Sequence, residues 1–326
     1  MSNYVILIKL INPTKVGDLV GRCSTLAALL EVSAYPKPGN VHRLRDYPNT
    51  RYEHFLAGSV AMEPHIRAVA VRAAQIRHSN YKWGDIDLGS SILSAVEDML
   101  RWQTGGNVHL GVILLFVPLA AAAGASIVDE IVDASDLRLC LGKIIKTSTS
   151  RDSLSIFKSI NLAMSRDHLG SVEEYDVTDV SSQDRIQRDN MKPFKVFTLC
   201  ADRDLICSEW VTEYQIIFEE GYPFLVEMLR QGLNINDSTV STFLKLLSSH
   251  TDSLIQRKVG LNKAKEVSEM AQRVLDAGGV HSEQGKELLR HMDEELTYSA
   301  GSMNPGTIAD LTASSLFVLL LSGWRP

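Results

Sequence analysis

The chain has 326 residues, 45% hydrophobic and 22% charged. That globular composition excludes disordered and collagen-like classes. Its 33 basic and 39 acidic residues leave a net charge of −6, which argues against a broad nucleic-acid-binding surface. Four dispersed cysteines, Cys23, Cys140, Cys200 and Cys207, form no CxxC pair. Their scatter speaks against a zinc knuckle or disulfide framework and fits a reducing cytoplasm.

Residues 4–11 are apolar but lack a basic leader and a cleavage site, so no targeting segment is expected there. Val16, Leu19, Val20, Cys23, Leu26, Ala27 and Leu30 share one helix face, and Pro36 and Pro38 end that helix. A long helix is predicted over 51–78, interrupted or kinked near Pro64, then one over 86–102. The apolar segment 108–124 follows Gly105-Gly106. Further helices are predicted over 135–147, 152–165, 203–219, 221–231, 237–248, 261–276, 283–299 and 306–323. Strand signals are weak, at 3–11 and 194–199. Segment 170–192 is polar and acidic and reads as a long loop.

Two stretches, Val108–Val128 and Thr307–Trp324, approach the ~20 residues of a membrane span. His109 and Asp310 interrupt them, and buried central helices give the same pattern. The expectation is an all-α fold: a single multi-helical bundle domain over 1–326 with buried central apolar helices and no membrane span.

Nucleotide and metal motifs are missing. No GxxxxGK[ST] occurs; Gly279 to Lys286 has one residue too many and Glu287 where a hydroxyl belongs. GxGxxG, HExxH, GxSxG and EF-hand loops are absent too. Four polar places nevertheless resist a purely structural reading. Glu31 extends the apolar face of the first helix and sits in its last turn, where the dipole disfavours an anion. It calls for a metal or an Arg/Lys partner, unless it is exposed at a frayed end. In Tyr35-Pro-Lys-Pro-Gly-Asn-Val-His-Arg43, prolines and Gly39 fix a turn that carries Lys37, His42 and Arg43, which suits an anionic ligand or a plain surface loop. Gly105-Gly-Asn-Val-His-Leu-Gly111 opens an apolar helix with free amides. Asn107 reads there as an anion contact or an N-cap, and His109 as a functional or a core histidine. In Asn304-Pro-Gly-Thr-Ile-Ala-Asp310, Asn304 reads as N-cap with Pro305 at N1. Thr307, Asp310 and Ser314 make a polar stripe in an apolar helix, so a buried Asp310 needs a partner. On physics alone Asp252 reads as an N-cap and Arg257 as a surface cation.

Together these blocks resemble the triphosphoribosyl-dephospho-CoA synthase family. That family carries a stretch like EVSATPKPGLVDR, here Glu31 to Arg43; NTHKG, here Asn107 to Gly111; DTxxxxRxG, here Asp252 to Gly260; and SPGGSADLLA, here Asn304 to Ala313. The four come in order across residues 31–313. His42 stands where the family has an acidic residue, Asn40 where it has Leu, Val108 and Leu110 where it has Thr and Lys, and Asn304 and Thr307 where it has Ser and Gly.

The resemblance implies an Mg²⁺-dependent transferase. ATP gives its triphosphoribosyl group to the 2′-hydroxyl of dephospho-CoA and adenine leaves, through an oxocarbenium-like transition state. It implies nucleotide contacts from Lys37, Gly39, Arg43, Gly106, Asn107, Gly111, Arg257, Asn304 and Gly306. It implies Mg²⁺ ligands among Glu31, Asp252 and Asp310, and an acid and a base among His42, His109 and those carboxylates, Asp252 included. Two alternatives stay open: a related coenzyme precursor as acceptor, and a non-catalytic nucleotide-binding regulator. Small-molecule partners, no nucleic acid and a cytoplasmic setting are expected. The identities of acid and base, any homo-oligomer, and closure of the site by loop 170–192 through Asp176 or Asp179 are left open.

Overall fold

The computed structural model describes residues 12–77, 82–127, 129–164, 180–298 and 301–326. The fold is all-α, with fifteen α-helices and no strand among the described residues. Two helices dictate the arrangement. In α4 (Leu110–Ser126) and α15 (Gly306–Leu321) nearly every residue is buried. A helix that is apolar all round needs protein on every side. Accordingly α1 (Pro13–Ser33) packs on α15, and α2 (Tyr52–Arg77) packs on α1, α4 and α3 (Leu88–Arg101). α5 (Ala134–Thr147) covers α4, and α11 (Ile235–Ser249) covers α15. Phe116 and Phe317 meet along the α4–α15 seam with ring centroids 4.7 Å apart. The main core cluster includes residues from Val16 to Leu321, and a small second one gathers Phe157, Ile186 and Val196. The two stretches weighed as membrane spans are these core helices, and no helix of the described residues is long and apolar enough to cross a membrane.

Pro118 lies inside α4. Its ring nitrogen cannot donate to the Leu114 carbonyl, so a buried acceptor is orphaned in the centre of the core. The structure supplies other donors. The Trp210 indole N–H reaches the Leu114 oxygen at 3.1 Å, and the Tyr214 hydroxyl reaches the Leu115 oxygen at 3.2 Å. Both side chains are fully buried. This explains a departure from the sequence reading. The helix predicted over 203–219 is broken: α9 (Leu205–Thr212) ends where Glu213 and Tyr214 turn left-handed, at φ 55° and 60°. The turn carries Tyr214 to α4, and the Glu209 carboxylate accepts the Ile216 and Ile217 amides beyond it at 2.9 and 3.1 Å.

Other expectations are corrected. Residues 194–199 are not a strand; Pro193 starts α8 (Pro193–Thr198), whose Phe197 packs on Trp210 at 4.8 Å between centroids. The expected loop 170–192 contains α7 (Val180–Arg188); its part up to 179, with Asp176 and Asp179, lies outside the described residues, as does 3–11. Cys200 and Cys207 form a disulfide, with Cα atoms 5.9 Å apart, where no disulfide was expected. The chain doubles back between α8 and α9, so a separation without a recognisable motif brings two sulfurs together.

Trp210→Phe keeps an aromatic ring at this buried position but removes the donor to Leu114 and one ring of packing. It should lower the unfolding free energy by about 1–3 kcal/mol, measured by urea denaturation, without changing helix content.

Candidate active site

A cavity of about 410 Å³ opens where the starts of α4 and α15, the end of α1 and the turn after it come together. This lies within the size range of small-molecule sites. Glu31, Lys37, Asn107, His109, Gly111, Arg257, Asn304, Gly306 and Asp310 line it, although they come from four distant stretches of chain. Gly39, His42, Arg43, Gly106 and Asp252 do not line it.

The cation that Glu31 requires is Lys37. The two side chains form an ion pair, and the Lys37 ammonium also donates to the Glu31 backbone oxygen at 3.0 Å. Glu31 and Lys37 are 5% and 1% exposed. Burial pushes the Glu31 carboxyl up and the Lys37 ammonium down, and each charge partly offsets the shift of the other. The turn that presents Lys37 has a cis Tyr35–Pro36 bond and is held from outside. Asn236 on α11 bonds both the amide and the carbonyl of Tyr35, at 3.0 and 2.8 Å. Asp293 on α14 (Glu283–Tyr298) accepts the Gly39 amide at 3.2 Å, and the Tyr47 hydroxyl donates to the Gly39 oxygen at 2.7 Å. Gly39 takes φ 70°, with Leu296 and Pro305 close by. It therefore shapes the turn rather than touching a ligand.

His42 is fully buried behind this turn, with Nε2 3.6 Å from Asp293, so the structure places it away from the cavity. Arg43 is exposed and bonds Asn236 at 3.2 Å. Neither lines the cavity, for one reason: residues that follow a tight turn point to its outer side, towards Asp293 and Asn236. Gly106, at φ 77°, has no atom near the place a Cβ would take and serves the loop conformation.

At the start of α4, the Asn107 carboxamide accepts the Leu110 amide at 3.0 Å. His109 Nε2 lies 2.9 Å from both the Phe55 oxygen and Ser59 Oγ. A carbonyl only accepts, so Nε2 carries the proton and Nδ1 keeps a bare lone pair, buried without a partner. Burial lowers the His109 pKa to about 4, which keeps the ring neutral. On the next turn a Cβ on Gly111 would overlap the Asp310 carboxylate. Only glycine lets α4 approach Asp310 this closely.

Asp252 is fully buried and caps two helices at once. One carboxylate oxygen accepts Leu254 and Ile255 amides of α12 (Ser253–Val259) at 2.8 and 3.0 Å. The other accepts the Ile308 amide of α15 at 2.8 Å. It is the N-cap that physics suggested, and it also does for α15 what Asn304 was expected to do. Asn304 Oδ1 is left buried without a partner at the cavity wall. Arg257 is not a lone surface cation but pairs with Asp204, itself the cap of α9. Asp310 is in no ion pair among the described residues. Burial and the neighbouring charges of Glu31, Asp252 and Asp204 raise its pKa well above the usual carboxylate range.

Glu31, Asp252 and Asp310 do not fit a protein-only magnesium cage. Lys37 occupies the first, three amides occupy the second, and only the third is available. No cluster of three His, Cys, Asp or Glu among the described residues can hold a metal. Sequence reasoning missed Arg203, Asp204 and the Cys200–Cys207 disulfide, which also line the cavity. Cys200, Arg203 and Asp204 lie at the junction of α8 and α9 and Cys207 in the first turn of α9, where no motif marks them. A wider surface groove of about 1000 Å³, near Trp83, Lys146 and Lys192, contains none of the residues singled out from the sequence.

Removing one partner of a buried ion pair strands the other. Lys37→Met should cost about 3–5 kcal/mol of stability, and Glu31→Gln in the same chain should recover most of it, by thermal or chemical denaturation of the double-mutant cycle.

Comparisons with known proteins identify relatives of this chain. The family model described as CitG: ATP:dephospho-CoA triphosphoribosyl transferase matches residues 18–326. A Pseudomonas syringae pv. tomato protein named "Probable 2-(5''-triphosphoribosyl)-3'-dephosphocoenzyme-A synthase" is 25% identical over 310 residues, covering 94% of this chain and 92% of that one. A Stutzerimonas stutzeri protein of the same name is 31% identical over 105 residues, 32% of this chain and 36% of that one. A solved structure titled "Crystal structure of putative triphosphoribosyl-dephospho-coA synthase from Archaeoglobus fulgidus" superposes with a TM-score of 0.62 at 26% identity. It covers 83% of this chain and 100% of the other. With its model matched across almost the whole length, the chain belongs to the ATP:dephospho-CoA triphosphoribosyl transferase family.

Proposed function

We propose that this chain transfers the triphosphoribosyl group of ATP to the 2′-hydroxyl of dephospho-CoA and releases adenine. The observation that carries the reading is Asp310, a carboxyl at the cavity wall that has no ion partner among the described residues, that the start of α4 approaches so closely that only glycine fits, and whose pKa is pushed up by its surroundings and by the acidic groups around it. Breaking an N-glycosidic bond leaves electrons on the purine, and a proton donor at the departing base lowers that cost. In this reading Asp310 donates that proton as the C1′–N bond breaks. The hydroxyl oxygen then bonds to C1′ on the oxocarbenium-like ribose, its proton leaves through His109 Nδ1 to water, and the Asp310 carboxylate regains a proton from water when the products leave. The neutral His109 orients that hydroxyl by accepting its hydrogen bond at Nδ1, because Phe55 and Ser59 already hold Nε2. Asn304 Oδ1 offers a second unoccupied acceptor to donors on the substrates.

The Glu31–Lys37 pair places a buried cation at the cavity wall without adding net charge. The amide ends of α4 and α15 face the same space and favour anionic oxygens. Magnesium is assigned no protein cage and is taken to arrive on the triphosphate, where few protein ligands are needed. Because the core is continuous from end to end, the chain is read as one catalytic domain.

Incubation with Mg-ATP and dephospho-CoA should release adenine in equal amount to the triphosphoribosyl product, followed by chromatography. Asp310→Asn should lower kcat by about 10²–10⁴-fold while ATP still binds. Adenine appearing only with another coenzyme precursor would overturn the acceptor assignment. ATP binding with no adenine under any acceptor would overturn catalysis.

A further inference from the structure

The charged groups around the cavity are already committed to one another, with two exceptions. Lys37 is held by Glu31, and Arg257 by Asp204. Diverting Lys37 to a ligand would strand the buried Glu31 carboxylate, at a cost comparable to what the ligand would return, and part of the Arg257 guanidinium is already spent on Asp204. Asp310 is the first exception and carries no positive charge. Arg203 is the second. It lines the cavity and is also exposed, which puts it at the mouth, and its guanidinium has no hydrogen bond or ion pair among the described residues.

The backbone beneath Arg203 is fixed with unusual redundancy for a connecting segment. The Arg203 and Asp204 amides both donate to the Cys200 oxygen, at 3.1 and 3.0 Å. The Cys200–Cys207 disulfide closes the loop. Asp204 caps α9 through the Ile206 and Cys207 amides at 2.9 and 3.1 Å. The Leu205 amide donates to Ser253 Oγ at 2.9 Å, tying the loop to the first residue of α12, the helix that carries Arg257. A free guanidinium on a rigid base can form a two-pronged contact with phosphate at little entropic cost.

Resting on the nucleotide reading above, we propose that Arg203 is a phosphate-binding residue of this enzyme, receiving the triphosphate of ATP at the cavity mouth while Lys37 and Arg257 stay in their ion pairs. Arg203 then discriminates between nucleotides and nucleosides. Its side chain is exposed, so replacing it leaves the core packing intact.

The test is calorimetric titration of wild type, Arg203→Met and Arg203→Lys with Mg-ATP and, separately, with adenosine. Arg203→Met should weaken ATP binding by about 10- to 100-fold, the worth of a charge-assisted hydrogen bond, and leave adenosine binding unchanged. Arg203→Lys should recover part of the loss, because it restores the charge without the fork. Steady-state kinetics should show the same change in the KM for ATP, with kcat little altered. Equal ATP affinity in wild type and Arg203→Met overturns this inference alone. An equal loss for ATP and adenosine also overturns it, because the residue would then act through folding. A wild type that binds no ATP overturns the nucleotide reading together with it.

Discussion

Two helices that must be hidden from water decide where this protein keeps its polar chemistry. α4 and α15 have no solvent-tolerant face, so the other helices wrap them. Their first amides still need acceptors, and neither helix begins with a side chain that caps it in the ordinary way. Asn107 serves α4, and Asp252, from a distant helix, serves α15. Burying these two starts side by side draws in polar groups that a hydrophobic core would otherwise exclude. Glu31, Lys37, His109 and Asp310 collect around the cavity that results.

Charge is distributed there with little surplus. A buried ion pair adds little stability compared with an apolar pair of the same shape, but losing either partner is costly. One such buried pair, Glu31–Lys37, and a more exposed one, Asp204–Arg257, flank the cavity. They leave one acidic group and one basic group uncommitted, Asp310 and Arg203. The site thus carries little net charge, with an unpaired carboxyl at one part of its wall and an unpaired guanidinium at another. That polarity suits a substrate with a base to be discharged and a chain of phosphates to be held.

Much of this was legible in the sequence. Glu31 on an apolar face in a last turn demanded a cation, and Lys37 is six residues away. The apolar runs at 108–124 and 306–323 announced central helices, and the four motif blocks announced the family. What stayed hidden depended on contacts between distant segments. Nothing near Asn304 signals that Asp252 has taken over its capping role. Nothing around residue 210 signals that Pro118 leaves a carbonyl wanting a donor, which is why a continuous helix was expected where the chain breaks to deliver Trp210 and Tyr214. His42 and Arg43 were grouped with Lys37 because they are neighbours in sequence. A tight turn sends its two sides in different directions, so Lys37 lines the cavity while His42 and Arg43 lie outside it. The Cys200–Cys207 loop and Arg203 carry no periodicity, so only the folded structure brings them to the cavity.

The most direct test is a crystal structure with a C-nucleoside analogue of ATP, whose carbon–carbon bond to the base cannot be broken by the reaction. The base should lie in the cavity beside Asp310, with the triphosphate running outward to Arg203. Density for the analogue in the surface groove near Trp83 and Lys146, with the cavity between α4 and α15 left empty, would contradict the account.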